Sequence, residues 1–272
     1  MSRRDWFIEL IAYWEGRLTT RHLCEQFGIS RQQASKDLGT YNQASATPLV
    51  YTASVKGFVP PDNFSPLLLT TQADEYLTWL ASYSPYRRMT ETAKHTFQLS
   101  PPQRQVSPSV MCGLVAAMRQ QRRLEVDYVS LSHPDREGRI IVPHTFVDTG
   151  ARWHLRAWCE KHREYRDFVL SRFRGKPELA ERSSQGVTGD VAWNTQIELV
   201  FKPDLRLSPA QQTVIAEDYQ MQQGQLHMTT RAALVSYLLK QMQVNTKMID
   251  ANPQAQQLML DNLDDIKPWL IG

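Results

Sequence analysis

The sequence predicts an α+β protein in three parts, and changes of pattern along the chain indicate it. Residues 1–82 combine amphipathic helices with one short hairpin, residues 109–184 carry the alternation typical of strands, and residues 190–272 alternate strands with helices. Residues 83–108 are rich in Ser, Pro and Gln, which is typical of a linker. At 272 residues the chain is long enough for two or three domains.

Composition limits the class of protein. Hydrophobic residues make up 42% of the chain, which is typical of a packed globular protein. The cysteines Cys24, Cys112 and Cys159 are odd in number and far apart, so we expect no disulfide framework and a reducing compartment. There is no signal-peptide pattern and no run near the roughly 18 apolar residues of a membrane span. We therefore expect a cytoplasmic protein that makes no membrane contact.

The first domain begins with three predicted helices. An amphipathic helix over residues 3–14 places aromatic and aliphatic side chains on one face. A second helix over residues 20–27 ends at Gly28, because glycine adopts the positive φ that terminates a helix at little cost. Ser30 then begins a third helix, so the spacing predicts a helix-turn-helix.

The start of the third helix is polar on its outer side. Ser30 is a good N-cap, and Gln33 is placed to complete a capping box with it. Ala34 and Leu38 point inward at i, i+4 spacing. The side chains left near the exposed N-terminal part suit base edges and phosphates in a major groove: Arg31, Gln32, Gln33, Ser35 and Lys36.

A predicted hairpin over residues 49–60 follows directly, with its turn at Lys56 and Gly57. A hairpin in this position is a wing, and Lys56 would reach the DNA backbone. We predict that Arg31, Gln32, Gln33 and Ser35 read bases, while Lys36 and Lys56 hold phosphates. The alternative is a protein-interaction or effector module whose winged helix does not bind DNA and whose polar helix start is only a solvated face.

The central domain is the most basic part, since residues 101–180 carry 14 basic and 9 acidic side chains. Its alternation predicts short strands that would form a small, strongly bent sheet or partial barrel. The predicted strands cover residues 124–130, 139–142, 145–148, 152–158 and 166–173.

One predicted strand places Arg152, His154 and Arg156 on the same face, and Arg172 falls on the next strand. Cationic groups so close repel each other unless something negative lies between them. That could be a phosphate or nucleotide, with Tyr128, Ser130 and His144 adding hydrogen-bonding groups. It could equally be the acidic residues of an ordinary basic outer face, namely Asp148, Glu160, Glu164 and Asp167.

The last part predicts a small α+β lobe. Strands are expected over residues 195–201 and 224–229, with helices over 209–217 and 231–242. Leu234, Leu238 and Met242 share one side of the last helix, where they would serve either a dimer contact or the core of the lobe. We also expect dimer contacts from the aromatic first helix.

The segments Gly150–Ala157 and Asp167–Phe173 carry a resemblance to a known family. With a winged helix-turn-helix and a linker before them, they resemble the WYL-domain transcriptional regulators, and more closely the BrxR and CapW group found beside bacterial phage-defence systems. The name-giving Trp-Tyr-Leu stands here as Trp153-His154-Leu155.

The resemblance covers nearly the whole chain. It implies a homodimer that binds a palindromic operator in double-stranded DNA and represses a defence operon. It also implies that the WYL domain is an Sm-like small barrel that senses a nucleotide or nucleic-acid ligand. By position, the ligand pocket would be lined by Tyr128, Ser130, His144, His154, Arg156 and Arg172, with Arg152 beside them.

An enzyme is disfavoured. Cys159 and His162 lie close in sequence, but no Cys-x-x-Cys, His-x-x-x-His, Gly-rich phosphate loop or nucleophile elbow is present. We therefore expect no catalytic residues, no metal and no cofactor.

Overall fold

The computed structural model describes residues 2–81, 102, 104–131, 134, 137–248 and 250–270. The chain divides into two compact units, Met1–Ser100 and Pro101–Gly272. Of the linker predicted over 83–108, residues 83–101 and 103 lie outside the described residues. None of the helices within the described ranges is long and apolar enough to cross a membrane.

The first unit is built from helices followed by a hairpin. The elements are α1 (Arg3–Glu15), α2 (Thr20–Phe27), α3 (Arg31–Ala44), β1 (Val50–Thr52), β2 (Gly57–Val59) and α4 (Ala73–Ala81). Their apolar faces meet in one core that includes Phe7, Ile11, Leu23, Leu38 and Leu49. The order of these elements is that of the winged helix-turn-helix which the sequence predicts.

The helix boundaries follow the predicted caps, with one exception. Gly28 ends α2 with φ 64°, and the Ser30 side chain accepts a hydrogen bond from the Gln33 backbone N–H. The reciprocal half of the predicted capping box is wrong, because the Gln33 side-chain amide instead donates to Asp37 at 2.6 Å. The Gln33 side chain is thus directed one turn along the helix, and its amide oxygen does not accept from the Ser30 backbone N–H as a capping box requires.

The α1 helix uses its apolar face inside its own unit. Phe7, Leu10 and Ile11 are buried. The Trp6 indole N–H donates to Glu75 of α4 at 2.7 Å, and the Phe7 and Trp79 rings lie 5.5 Å apart. The helix α4 therefore packs against α1, whose apolar face is used largely within this unit.

The wing is a real antiparallel hairpin. Val50 pairs with Val59 and Thr52 with Gly57. Leu18 adds a third short strand, because its backbone exchanges hydrogen bonds of 2.8 and 2.7 Å with Phe58. The turn occupies residues 53–56, and Gly57, which was predicted within the turn, is the first residue of β2.

The second unit begins with α5 (Pro108–Gln120) and a five-stranded antiparallel sheet. The strands are β3 (Arg122–Tyr128), β4 (Glu137–Asp148), β5 (Trp153–Cys159), β6 (Glu164–Val169) and β7 (Phe173–Arg182). They lie in the order β6-β5-β4-β3-β7. The α5 helix packs Val110, Leu114 and Ala117 into the core beneath the sheet.

Two of the predicted strand boundaries are wrong. Residues 139–142 and 145–148 belong to one strand, β4, which continues through Pro143 with a shift of register against β5. Residues 166–173 do not form one strand, because a 3-10 turn at Leu170–Arg172 interrupts them. Arg172 therefore lies in a turn rather than on a strand.

The sheet does not close into a barrel by backbone hydrogen bonds. Among the described strands, β6 and β7 form its two edges and do not pair with each other. The coarser expectation, a small mixed domain of helix and bent sheet, holds.

The rest of the second unit is an α+β lobe. It contains α6 (Val191–Asn194), β8 (Gln196–Pro203), α7 (Pro209–Asp218), β9 (Leu226–Arg231), α8 (Val235–Gln241), β10 (Leu258–Leu260) and α9 (Leu263–Ile266). The sheet order is β10-β8-β9, and the strand β10 was not predicted. Leu238 and Met242 pack against the core of the lobe, so they contribute to its folding.

Candidate functional site

The start of α3 presents the polar surface that the sequence predicts. Arg31, Gln32, Ser35 and Lys36 are exposed, whereas Ala34 is fully buried. Gln33 is only half-buried. Four of the five predicted side chains on this helix are thus available to solvent.

An ion pair joins α3 to α1. The Arg4 guanidinium of α1 donates to the Asp37 carboxylate at 2.8 Å, and the same carboxylate accepts from the Gln33 amide. The acidic side chain on α3 is therefore paired, and the Gln33 amide nitrogen is engaged. Sequence reasoning missed Arg4, because a pair 33 residues apart leaves no local pattern.

The wing presents a basic tip. Lys56 is exposed with φ 49°, and its carbonyl accepts a hydrogen bond from Arg17 at 3.4 Å. Arg17 is also exposed and was not predicted. Tyr51 on β1 is 59% exposed, which adds an aromatic face to the hairpin.

The predicted ligand residues separate in the structure. Tyr128 is buried in the core, where its hydroxyl accepts a hydrogen bond from the Val169 backbone N–H at 3.0 Å. Ser130 is half-buried just beyond β3. Tyr128 therefore serves packing, and the structure does not place its ring on an open face.

Arg156 is the centre of a buried cluster. Its guanidinium donates to Asp190 through Nε at 2.7 Å and Nη2 at 3.1 Å, and to Asp167 through Nη1 at 3.2 Å. Arg156 is 8% exposed and Asp190 is 1% exposed. We call Arg156, Asp167, Asp190 and His144 the Arg156 cluster. Bidentate pairing of this kind is the arrangement that arginine makes with carboxylates and phosphates alike.

His144 completes the cluster. Its Nε2 lies 3.2 Å from the Asp190 carboxylate, and its Nδ1 lies 2.8 Å from the Thr145 hydroxyl. The ring lies between Tyr165 and Trp193, with centroids 5.7 and 5.8 Å away. Burial lowers the pKa of His144, and the negative charge of Asp190 only partly opposes that effect.

His154 belongs to a different group. It is 3% exposed, and its Nδ1 has no hydrogen-bond partner within the described ranges. Its ring lies 5.1 Å from that of Tyr237. Burial lowers its pKa, and the positive charges of Arg152 and Arg172 lower it further. The predicted cationic set therefore divides into Arg156 on one side and Arg152, His154 and Arg172 on the other.

The acidic partners proposed for a basic face are only partly used in that way. Asp167 pairs with Arg156, whereas Glu160 pairs with Arg123 and Glu164 with Arg166. Asp148 accepts a hydrogen bond from the Gly150 backbone. Asp190, the strongest partner of Arg156, was missed, although its place before a short helix is a recognisable N-cap signal.

A cavity of about 970 Å³ adjoins the Arg156 cluster. Arg156, Tyr165 and Asp167 line it from the sheet, and Tyr237, Lys240 and Lys247 line it from the lobe. This volume is at the upper end of that of small-molecule sites. Cationic and aromatic side chains together suit a nucleotide, whose phosphate and base require one of each.

Metal chemistry has no visible basis in the described ranges. They contain no group of three or more His, Cys, Asp and Glu side chains that could hold an ion. Cys159 is buried beneath the sheet, while His162 lies in the turn between β5 and β6.

Three family models match the chain. The BrxR transcriptional regulator winged helix-turn-helix domain matches residues 1–82, and the WYL domain matches residues 110–176. The BrxR transcriptional regulator C-terminal dimerization domain matches residues 196–266.

Two curated relatives are similar over almost the full length. The DNA-binding transcriptional repressor CapW of Escherichia coli (strain KTE188) is 33% identical over 276 residues, which is 97% of this chain and 90% of the relative. The repressor of the same name from Pseudomonas aeruginosa is 31% identical over 98% of this chain and 90% of its own length.

A solved structure, proteasome accessory factor B/C (PafBC) of Arthrobacter aurescens, matches with 16% identity and a TM-score of 0.28. The match covers 98% of this chain and 47% of the solved chain, so this chain spans about half of that protein's length.

Proposed function

The chain belongs to the family of CapW DNA-binding transcriptional repressors, and from that premise we propose that it is a dimeric, ligand-responsive repressor. It binds a palindromic operator through α3 and the wing. A nucleotide or oligonucleotide at the WYL domain controls its affinity for DNA. That the repressed operon serves phage defence, that the protein is cytoplasmic and that it lacks catalysis stay predictions.

The observation that carries DNA binding is the exposed, N-capped start of α3. Arg31, Gln32 and Ser35 are free to meet base edges, and Lys36 to meet phosphate. Gln33 contributes less, because Asp37 holds its amide nitrogen. Lys56 at the tip of the wing, with Arg17 beside it, would hold the DNA backbone.

Dimerisation follows from the C-terminal lobe. Its match to a dimerization domain over residues 196–266 supports two winged domains per assembly. Two half-sites multiply weak contacts, which offsets the modest charge of each recognition helix. The symmetry of such a dimer requires a palindromic operator.

The ligand would bind at Arg156. This is the predicted cation that lines the cavity, and arginine on a sheet strand is a rigid phosphate donor. The predicted ligand residues His144, His154, Arg152 and Arg172 lie on the same domain, whereas burial of Tyr128 argues against direct contact. We infer that this open sheet is a variant of the Sm-like small barrel in which the edge strands β6 and β7 do not pair, and the preceding helix α5 and the 3-10 turn before β7 support that relationship.

The rival function is a winged helix that binds another protein. Residues 1–60 carry only 7 basic and 5 acidic side chains, which is modest for a DNA-binding domain. The two functions differ in salt dependence, because phosphate contacts release counterions and make affinity fall steeply with salt.

The test is a fluorescence-anisotropy titration against the intergenic DNA upstream of the gene, beside a scrambled duplex of equal length. Each is measured at two salt concentrations. Tight, salt-sensitive binding to the upstream duplex alone is the expected result. Equal binding to both duplexes, or no binding, would favour the protein-interaction module.

A further inference from the structure

Asp190 occupies the position on Arg156 that an anionic ligand would take. Its two oxygens accept from Nε and Nη2 at 2.7 and 3.1 Å, in the same bidentate geometry that a phosphate adopts. Asp190 does not belong to the sheet that carries Arg156. It lies 34 residues further on, in the segment that connects the sheet to the C-terminal lobe.

The same carboxylate also begins a helix. Asp190 is the N-cap of α6, where it accepts a hydrogen bond from the Trp193 backbone N–H at 3.1 Å. Arg231 of β9 donates to the Trp193 carbonyl at 2.6 Å, and its guanidinium lies 4.7 Å from the centre of the Trp193 ring. The position of Asp190 is thus tied to the sheet of the lobe.

A second pair of hydrogen bonds connects Arg156 to the lobe. Asp167, its other carboxylate partner, accepts a hydrogen bond from the Tyr237 hydroxyl of α8 at 3.0 Å. Both acidic partners of Arg156 therefore contact elements of the lobe. An anion that takes over Arg156 has to weaken one or both of these connections.

We propose that Asp190 is an internal competitor of the ligand, a carboxylate that fills the anion site of Arg156 until a phosphate displaces it. When Asp190 is displaced, α6 loses its N-cap and its contact with Arg231. Binding of the ligand thereby changes the contacts of the lobe that carries the dimer contacts. This inference rests on the proposed ligand site at Arg156. It adds that the ligand has to exchange with Asp190 rather than enter an open site.

The charged partners of Arg156 favour exchange of a carboxylate for the incoming anion over binding of an additional anion. Asp190 and Asp167 already occupy the Nε, Nη1 and Nη2 donors of Arg156, so an anion that binds this guanidinium directly has to replace one of them. Burial raises the pKa of Asp190, but the hydrogen bonds and charge of Arg156 outweigh it and hold the pKa below its usual range. Asp190 thus remains ionised at neutral pH.

The experiment uses inorganic pyrophosphate as the probe and calorimetric titration of the full-length protein. The variant is Asp190→Asn, which keeps the shape and the capping oxygen but removes the charge. Pyrophosphate should bind this variant at least about tenfold more tightly than it binds the wild type, because the competitor is neutralised. The gain should vanish in the double variant Asp190→Asn/Arg156→Met.

A matched control is Asp204→Asn. Asp204 is also fully buried and also accepts from an arginine, but this arginine, Arg206, does not line the cavity, whereas Arg156 does. It should leave pyrophosphate affinity unchanged. An equal gain in this control would show a general loosening of the lobe and overturn the proposal.

The remaining outcomes separate this inference from the proposed function. If the wild type and Asp190→Asn bind pyrophosphate equally and the double variant does not, the anion site stands and the competitor role is wrong. If neither binds, or if the double variant binds as well, the ligand site itself is wrong and the inference fails with it.

A wild-type measurement covers the case in which the variant does not fold. Hydrogen–deuterium exchange should rise at Trp193 and its neighbours in α6 as pyrophosphate is added, because the cap at Asp190 is released. Unchanged exchange at saturating pyrophosphate would overturn the proposal. Calorimetry on the same sample establishes that saturation.

Discussion

Arg4 and Asp37 form an ion pair at 2.8 Å that joins the first helix of the chain to the helix expected to read DNA. The pair is partly exposed, so its contribution to stability is small, about 0 to 1 kcal/mol. We expect a larger effect on DNA binding, because the pair neutralises the acidic side chain on α3.

Replacing Arg4 should therefore weaken DNA binding more than it destabilises the fold. In Arg4→Ala, the Asp37 charge is left unpaired near the phosphates, and operator affinity should fall severalfold. The double variant Arg4→Ala/Asp37→Asn should recover most of it. Anisotropy titrations test this, and a double variant as weak as the single one would contradict it.

Removing Arg31 tests the recognition helix itself. Arg31→Ala should cost about 1–3 kcal/mol of operator binding if the side chain contacts a base, and melting of the protein should be unchanged. Arg21→Ala is the control, because Arg21 is an exposed arginine on the preceding helix and pairs with Glu25. Equal losses in both variants would indicate a general charge effect instead.

Lys56 at the wing tip should act through charge alone. Lys56→Ala should weaken binding to operator and scrambled duplex alike and should lower the slope of log K against log salt by about 1. Titrations at several salt concentrations measure that slope. A loss confined to the operator would instead assign Lys56 to base reading.

Arg156 and Arg172 should differ sharply in their effect on stability. Arg156→Ala leaves Asp190 buried without its partner and should cost about 3–5 kcal/mol of unfolding free energy. Arg172→Ala, in the half-buried turn, should change it by about 0.5 kcal/mol or less. Urea unfolding of both variants makes the comparison, and similar costs would contradict the central place of Arg156.

Stability should fall as the solution becomes mildly acidic. The pKa values of His22, His144, His154 and His162 all lie below 6.5, with burial as the largest cause. The unfolded chain therefore takes up protons first as pH falls through 6.5, which favours unfolding. The free energy of unfolding should decrease as pH falls from about 7.5 to about 5.5, through the unfolded pKa of about 6.5 towards the lower folded values.

Carboxylates do not account for a change in that range. The pKa values of Asp190 and Asp204 lie below 3.8, so the stability they contribute is lost only at much lower pH. His144→Asn should flatten the dependence on pH measured by urea unfolding. A variant with the wild-type slope would show that His144 does not titrate in this way.

Local patterns predicted the local structure well. Gly28 and Ser30 set the ends of two helices, because positive φ and side-chain capping are properties of single residues. The alternation of polar and apolar residues located β5, because successive side chains of a strand point to opposite faces, although both faces of this strand prove to be largely buried. The winged module followed from these features.

Contacts between distant residues account for what the sequence did not predict. Asp190 contacts Arg156 across 34 residues of sequence, and no local sequence pattern at either residue predicts this contact. The continuity of β4 through Pro143 depends on an irregular register with a neighbouring strand, so two strands were predicted where the structure has one. Arg172 left its expected strand because a 3-10 turn follows Val169.

Gly189 stands directly before Asp190, and a Cβ atom there would lie 2.6 Å from the Tyr165 hydroxyl oxygen. That hydroxyl also donates to the Gly186 carbonyl at 2.7 Å, which holds the connecting segment against the sheet. A single added methyl group would clash with this hydroxyl, so either the Tyr165 ring or the segment that carries Asp190 would have to move. If Asp190 competes with the ligand as proposed, the missing side chain at Gly189 helps to set the ligand concentration at which Asp190 leaves Arg156.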